Sequence, residues 1–349
     1  MFGKFMNNYY YGKSGKGDYT PDDLPKTRLQ LFFEMLRVRL SALCRMNLIY
    51  MIPWLPTIQV VGMLAMYVLT MGAAPTEEQA ITNADGSVTT QVVQVEMTEE
   101  EQLALLDQLA ELVPSMLNTT LILLIPCIFI TGPWTAGVCY VTRNWARDEH
   151  AFIWSDMKDA MKENWKSALG LSAITSVIPF LAWTCWRFYG GLAATNWIMT
   201  VPQMGVLMLA IIWFLAITYA FHMLVTYKMS FATIIRNSLL LAVGRLPLSV
   251  GIRLLHCVPV LLAVVLTFLL NSLWVPLGLF AYYVLIGFTL SRFVTASFTN
   301  AQFDKYINSR IEGAEVNRGS AEEDDEDYEE EEEERELKPW ENGYVNKDN

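Results

Sequence analysis

The sequence predicts an all-α membrane protein with about six transmembrane helices, cytoplasmic interfacial helices and a small exocytoplasmic insertion. Three observations predict it. Apolar side chains make up 53% of the 349 residues and the mean hydropathy is positive, although the chain ends in an acidic run, so the apolar residues are concentrated in segments. A hydrocarbon core of about 30 Å takes roughly 20 helical residues at about 1.5 Å each. Six segments meet that length, at residues 47 to 71, 117 to 141, 167 to 187, 204 to 227, 248 to 270 and 273 to 293. Finally, Lys and Arg cluster in every second connecting segment, the pattern that marks cytoplasmic loops.

Residues 1 to 46 read as a cytoplasmic N-terminal segment that carries an amphipathic helix, LQLFFEMLRVRLSALCRMNLIYMIP, ahead of the first span. The opening MFGKFMNNYYYGKSGKGDY has no apolar core and no small-residue cleavage site, so a cleaved signal peptide is not expected. Eight basic residues, from Lys4 to Arg45, precede the first span. Further groups are Arg143, Arg147, Lys158, Lys162 and Lys166, then Lys228, Arg236 and Arg245, then Arg292, Lys305, Arg310 and Arg318. The intervening loops are almost bare of positive charge, which places both termini in the cytoplasm of a multi-pass plasma-membrane protein.

The six-span membrane domain covers 47 to 310 and includes an acidic outer loop at 72 to 116. Within that loop Asp85-Gly86 sits between two β-branched stretches and predicts a hairpin. Thr98 and Glu101 follow at capping-box spacing, with Leu103, Leu106, Leu109, Leu112 and Val113 on one helical face and Pro114 expected to part that helix from the second span. Only Asn271 and Ser272 join the last two spans, so the chain turns back sharply there. Phe152 and Lys166 match Phe231 and Arg245 at a common offset, with Pro179 and Pro259 one residue out of register, which hints at repeated units of interfacial helix and paired spans.

Charge is divided as unevenly as hydropathy. Residues 320 to 349 hold 15 acidic and three basic side chains, and 73 to 115 hold nine acidic and none basic. Elsewhere basic residues outnumber acidic ones, 22 to 12, although the net charge is -11. The segment 311 to 349 is therefore an acidic cytoplasmic tail, disordered for want of anything to form a core. It reads either as a solvated tail repelled by anionic lipid or as a binder of a basic partner.

Enzyme chemistry finds no support in the residues. His150, His222 and His256 stand outside any metal-ligand spacing, and GKSGKGD at 12 to 18 has Asp18 where a P-loop requires lysine. No G-x-S-x-G elbow occurs. Cys44, Cys127, Cys139, Cys185 and Cys257 form no C-x-x-C pair and read as small apolar residues. No metal, cofactor or nucleic acid is called for. None of the six spans contains Asp or Glu; Arg187, Arg253 and Arg292 are expected to snorkel from span ends, and His222 and His256 to pack between helices or sit at the interface.

The densest polar pattern is TGPWTAGVCYVTRNWARDEHAFIWSDMKDAMKENWKSALG. Gly132 and Pro133 are expected to kink or unwind the second span, and Gly137 to permit a close helix crossing. Arg143, Asn144, Arg147, Asp148 and Glu149 follow within about two helical turns. Two readings stay open for them. One is a span end with local charge pairs and with Trp145 and Trp154 as interfacial anchors; the other is a cytoplasmic docking surface.

This stretch, with MFGKF at the start, NLIYMIPWLP at Asn47 to Pro56 and GPWTAG at Gly132 to Gly137, resembles the YesL-like family of bacterial integral membrane proteins, over roughly 1 to 310. The acidic outer loop and the acidic tail depart from its shorter members. The family is a domain of unknown function, often encoded beside carbohydrate ABC transporters and polysaccharide-degrading enzymes. The resemblance thus implies a setting in oligosaccharide uptake or sensing and carries over no catalytic residue. It favours a non-enzymatic accessory protein whose partners are the bilayer and components of a carbohydrate transporter or other membrane proteins. The alternative is a sugar permease or permease subunit, with Trp183, Trp186, Phe188 and Tyr189 lining a path.

Overall fold

The structure, a computed structural model, describes residues 25–71, 76–82, 88–94, 98–270, 272, 274–311 and 313–319. The readings at 1 to 5, at 12 to 18, at the Asp85-Gly86 turn and along 320 to 349 lie outside the described residues.

Six helical stretches are long and apolar enough to cross a membrane: Arg28–Tyr67, Glu99–Phe129, Ser155–Ala193, Trp197–Thr226, Leu246–Leu270 and Trp274–Arg310. The share of each apolar window that is buried runs only from 0% to 33%. Surface of that kind, with Phe268 at 86% exposure, is stable against hydrocarbon and not against water.

Helix α1 (Arg28–Met51) carries the amphipathic N-terminal segment into the first span without interruption. A single 3-10 turn at Ile52–Trp54, with Pro53 in it, joins α1 to α2 (Leu55–Met71). Strands β1 (Thr76–Thr82) and β2 (Val88–Gln94) then pair antiparallel, Thr76 opposite Gln94 and Thr82 opposite Val88. Helix α3 (Glu99–Phe129) opens with the expected capping box, in which the Thr98 hydroxyl accepts from the Glu101 N–H and the Glu101 carboxylate accepts from the Thr98 N–H at 2.9 Å. Contrary to expectation, α3 runs straight through Pro114. One lost hydrogen bond does not end a helix whose continuation lies in lipid, where an opened backbone finds no water.

The break comes instead at Ile130 and Thr131, after which α4 (Gly132–Trp145) begins. Helix α5 (Ser155–Ala193) fuses the amphipathic entry and the third span into one rod. A 3-10 turn at Trp197–Met199 leads into α6 (Thr200–Thr226), whose residues from Leu215 to Val225 are nearly all buried. Helix α7 (Phe231–Gly244) is parted from α8 (Leu246–Leu270) by Arg245, which has left the helical region at φ -120 and ψ 42. The segments that the sequence aligned as repeats therefore differ in backbone, continuous in α5 and broken at Arg245. Helix α9 (Trp274–Tyr282), a π-helical turn at Tyr283–Gly287 and α10 (Phe288–Tyr306) complete the chain, with a 3-10 turn at Asn308–Arg310.

Two compact units emerge. The larger comprises Ser41–Thr142 and Ala151–Ala296; the smaller draws on Met1–Leu40, Arg143–His150 and Ser297–Asn349. In the larger unit α5 packs on α3 and α6, α6 on α7, α2 on α3, and α8 on α9. The Tyr219 hydroxyl lies 2.7 Å from that of Ser249, and Trp213 Nε1 donates to Thr175 Oγ1 at 3.2 Å. The π-helical turn has its own partner in Asn47, which is fully buried. A wide turn leaves carbonyls without helical donors. Asn47 Nδ2 donates to the Tyr283 and Val284 carbonyls at 2.9 and 2.7 Å, and its Oδ1 accepts from the Thr289 N–H at 3.0 Å. Asn47 thus joins the first and sixth spans.

Candidate functional site

Gly132, Pro133 and Gly137 belong to the larger unit, and each has a physical task there. Pro133 has no N–H, so the Phe129 carbonyl loses its i+4 donor. Ser172 on α5 supplies the substitute, its hydroxyl donating to Phe129 at 2.8 Å. Space for this comes from Gly132, where a Cβ would lie 2.4 Å from both the Ala168 carbonyl oxygen and Ser172 Oγ. Gly137 repeats the arrangement nearer the α5 start, where a Cβ would stand 2.7 Å from Met157. The GPWTAG motif thus makes the break in the second span, heals it from α5 and lets the two helices touch.

Arg143, Asn144, Arg147, Asp148 and Glu149 lie in the smaller unit. They close α4 with a Schellman motif: the Glu149 N–H reaches the Asn144 carbonyl at 2.8 Å and the Asp148 N–H the Trp145 carbonyl at 3.2 Å. Asp148 takes the left-handed position, φ 55, that glycine fills at many helix ends. Arg143 donates through Nε and Nη2 to Asn144 Oδ1, and its carbonyl accepts from Asn300 Nδ2 at 3.3 Å. Glu149 Oε1 accepts from Arg318 Nη1 at 2.5 Å and stands 3.5 Å from Arg147 Nε. Trp145, expected as an interfacial anchor, is 1% exposed and lies under Arg39, whose guanidinium is 5.9 Å from the ring centroid. The elbow's charges are in large part bound within the chain.

Around them the smaller unit has a core of Leu31, Met35, Trp145 and Phe303, all buried. Its polar centre is Asp304, which accepts from Arg28 Nη2 at 2.8 Å, Asn308 Nδ2 at 2.5 Å and the Asn317 N–H at 3.3 Å. Arg28 also donates to Asn317 Oδ1. Asp148 remains exposed. Partial desolvation nonetheless holds its carboxyl above the usual carboxylate range, and nearby Arg39 pulls it the other way.

A second candidate, only half legible in the sequence, is a cleft of about 460 Å³ between α3 and α5. Glu111, Ser115 and Asn118 line one side; Trp183, Thr184, Arg187 and Phe188 line the other. Arg187 stands over the Trp183 ring, 6.0 Å from its centroid, at the outer limit of a cation–π contact. The aromatic residues were visible as a stretch, whereas Glu111 and Asn118 were hidden behind the expected break at Pro114. Their seven-residue spacing on one unbroken helix face was the signal available. Among the described residues no group of three His, Cys, Asp or Glu could hold a metal ion.

These features define a multi-pass α-helical membrane protein organised about a broken second span. Residues 115–184 match the model of a family described as "Protein of unknown function, DUF624". The match runs from the second half of α3 through the break and the elbow to Thr184 on α5, so it contains all eight predicted site residues. No curated protein and no solved structure matches the chain.

Proposed function

We propose that the protein is a non-enzymatic accessory of oligosaccharide uptake or sensing in the bacterial plasma membrane, with both termini cytoplasmic and its outer cleft meeting the solute. The observation that carries this reading is the composition of the α3–α5 cleft. Sugars bind through their C–H faces on aromatic rings and their hydroxyls on carboxylate, amide and guanidinium groups. Trp183 and Phe188 supply rings; Glu111, Asn118 and Arg187 supply hydrogen-bonding groups. The volume suits a ligand of a few sugar rings. Alternation of basic loops supports an outer position for this end of α3, and resemblance to the YesL-like family supports the carbohydrate setting. The elbow and the other cytoplasmic helices are then the surface for carbohydrate-transporter components or other membrane proteins.

A second reading, sugar permease or permease subunit, draws on two interruptions in the spanning helices, at Ile130 and Thr131 and at the π-helical turn of Tyr283–Gly287. Broken helices commonly line transport paths.

The test uses protein in nanodiscs, titrated with a panel of neutral oligosaccharides while tryptophan fluorescence is read. Saturable quenching that is lost in Trp183→Ala and weakened in Glu111→Gln supports the cleft. Quenching unaltered by both substitutions, or none with any sugar, sinks it. Entry of labelled sugar into liposomes holding the protein alone would replace the accessory reading with the permease.

A further inference from the structure

Among the described residues, a cluster of cationic groups in the larger unit has no carboxylate acting on it. Arg253 on α8 and Arg292 on α10 lie close enough to act on each other electrostatically. His256, one turn on from Arg253, meets the Ser291 carbonyl through Nε2 at 3.0 Å and Thr295 Oγ1 at 3.2 Å, which fastens α8 to α10 beside Arg292. Both arginines also have partners within the chain. Arg292 lies within electrostatic reach of Tyr50, whose hydroxyl is 2.9 Å from Thr135 Oγ1. Arg253 Nη2 donates to the Phe214 carbonyl at 2.6 Å and the guanidinium covers the Phe214 ring, 4.2 Å from its centroid. Arg253 Nε is buried with no hydrogen-bond partner among the described residues.

Among the described residues no carboxylate acts on either guanidinium. The groups acting electrostatically on Arg253 are Arg292 and Cys257, and those acting on Arg292 include Tyr50 and Cys139. Helices α4, α6, α8 and α9 contain no Asp or Glu. Two guanidiniums that repel each other and are partly withdrawn from water are stabilised by a counter-ion. Each guanidinium has five N–H donors in a planar fork that fits the oxygens of phosphate. The surface leading away from Arg253 along α8 is apolar and open, with Leu254, Leu255, Val258, Leu261 and Leu262 each about half exposed. Such a surface suits acyl chains and offers a soluble anion no further hydrogen bond.

We propose that Arg253 and Arg292 form a binding site for a phosphate group, supplied by an anionic phospholipid whose chains lie along the exposed face of α8. His256 positions the pair by tying α8 to the backbone next to Arg292. The site stands apart from the carbohydrate reading.

Purified, delipidated protein in a neutral detergent tests it by thermal unfolding and native mass spectrometry. The added probes are phosphatidylglycerol, phosphatidylcholine and inorganic phosphate. The expected result is a saturable rise in unfolding temperature and a retained lipid with phosphatidylglycerol over phosphatidylcholine, with binding weakened at least about tenfold in Arg253→Gln and less in Arg253→Lys. A response to inorganic phosphate and to neither lipid, lost in Arg253→Gln, keeps the phosphate site and overturns the lipid source. Equal responses to the two lipids in the wild-type protein, an unchanged response in Arg253→Gln, or no response to any probe overturns the proposal.

Discussion

The Ser172 hydroxyl donates at 2.8 Å to the Phe129 carbonyl, the group that Pro133 leaves without a helical donor. A break in a spanning helix is costly in lipid because no water can satisfy it. Ser172→Ala is therefore expected to destabilise the protein by about 1–2 kcal/mol. Gly132→Ala should cost more, since its Cβ would lie 2.4 Å from a backbone oxygen that a rotamer change cannot move. Thermal unfolding in detergent micelles orders the variants: wild type, then Ser172→Ala, then Gly132→Ala. If Gly132→Ala unfolds with the wild type, the close contact is not required.

Asn47 makes a more demanding case, because one side chain serves three backbone groups of the sixth span. Asn47→Asp keeps the shape and loses both donors to Tyr283 and Val284, while Asn47→Leu leaves all three groups unserved. Each is expected to cost about 2–3 kcal/mol. The check is the fraction of monodisperse protein on size exclusion after graded heating. Survival of Asn47→Leu at wild-type temperature would show that the π-helical turn satisfies itself.

At the end of α4, Asp148 holds a left-handed conformation at φ 55. L-residues pay about 1–2 kcal/mol there and glycine does not. Asp148→Gly is expected to match or exceed the wild type in unfolding temperature. Asp148→Val, β-branched, should fall by about that penalty. A falling unfolding temperature in Asp148→Gly would show that the carboxylate, and not the backbone, matters at this position.

How much of this could be read from sequence depended on range. Spans are a property of local composition, so six were found, and Pro133 announced its break because the missing N–H is intrinsic to the residue. Pro114 carries the same chemistry and was misread, since what holds α3 together there is the cost of opening a helix near lipid, not any local signal. The acidic and basic residues of the elbow were visible as a pattern, but a principal partner, Arg318, lies 169 positions from Glu149. Arg253 and Arg292 looked like independent span ends because nothing local reveals that His256 ties α8 to α10 beside them.

Asp304 offers the clearest test of the smaller unit. Its side chain is 8% exposed and gathers Arg28 from α1, Asn308 from the turn after α10 and the backbone of Asn317. Removing the carboxylate leaves the buried end of Arg28 without its counter-charge and frees the segment around Asn317 from its anchor. Arg318, one residue on, is a trypsin site whose guanidinium is now held by Glu149 and Glu315. An exposed pair of this kind is worth about 1 kcal/mol or less, too little to hold the segment once Asp304 is gone. In Asp304→Ala, cleavage after Arg318 should therefore accelerate several-fold under limited trypsin, read by mass spectrometry of the released C-terminal fragment, while cleavage at Arg236 serves as the internal reference. Equal rates at Arg318 in the two proteins would mean that the Glu149 and Glu315 pairs, and not Asp304, fix this part of the chain.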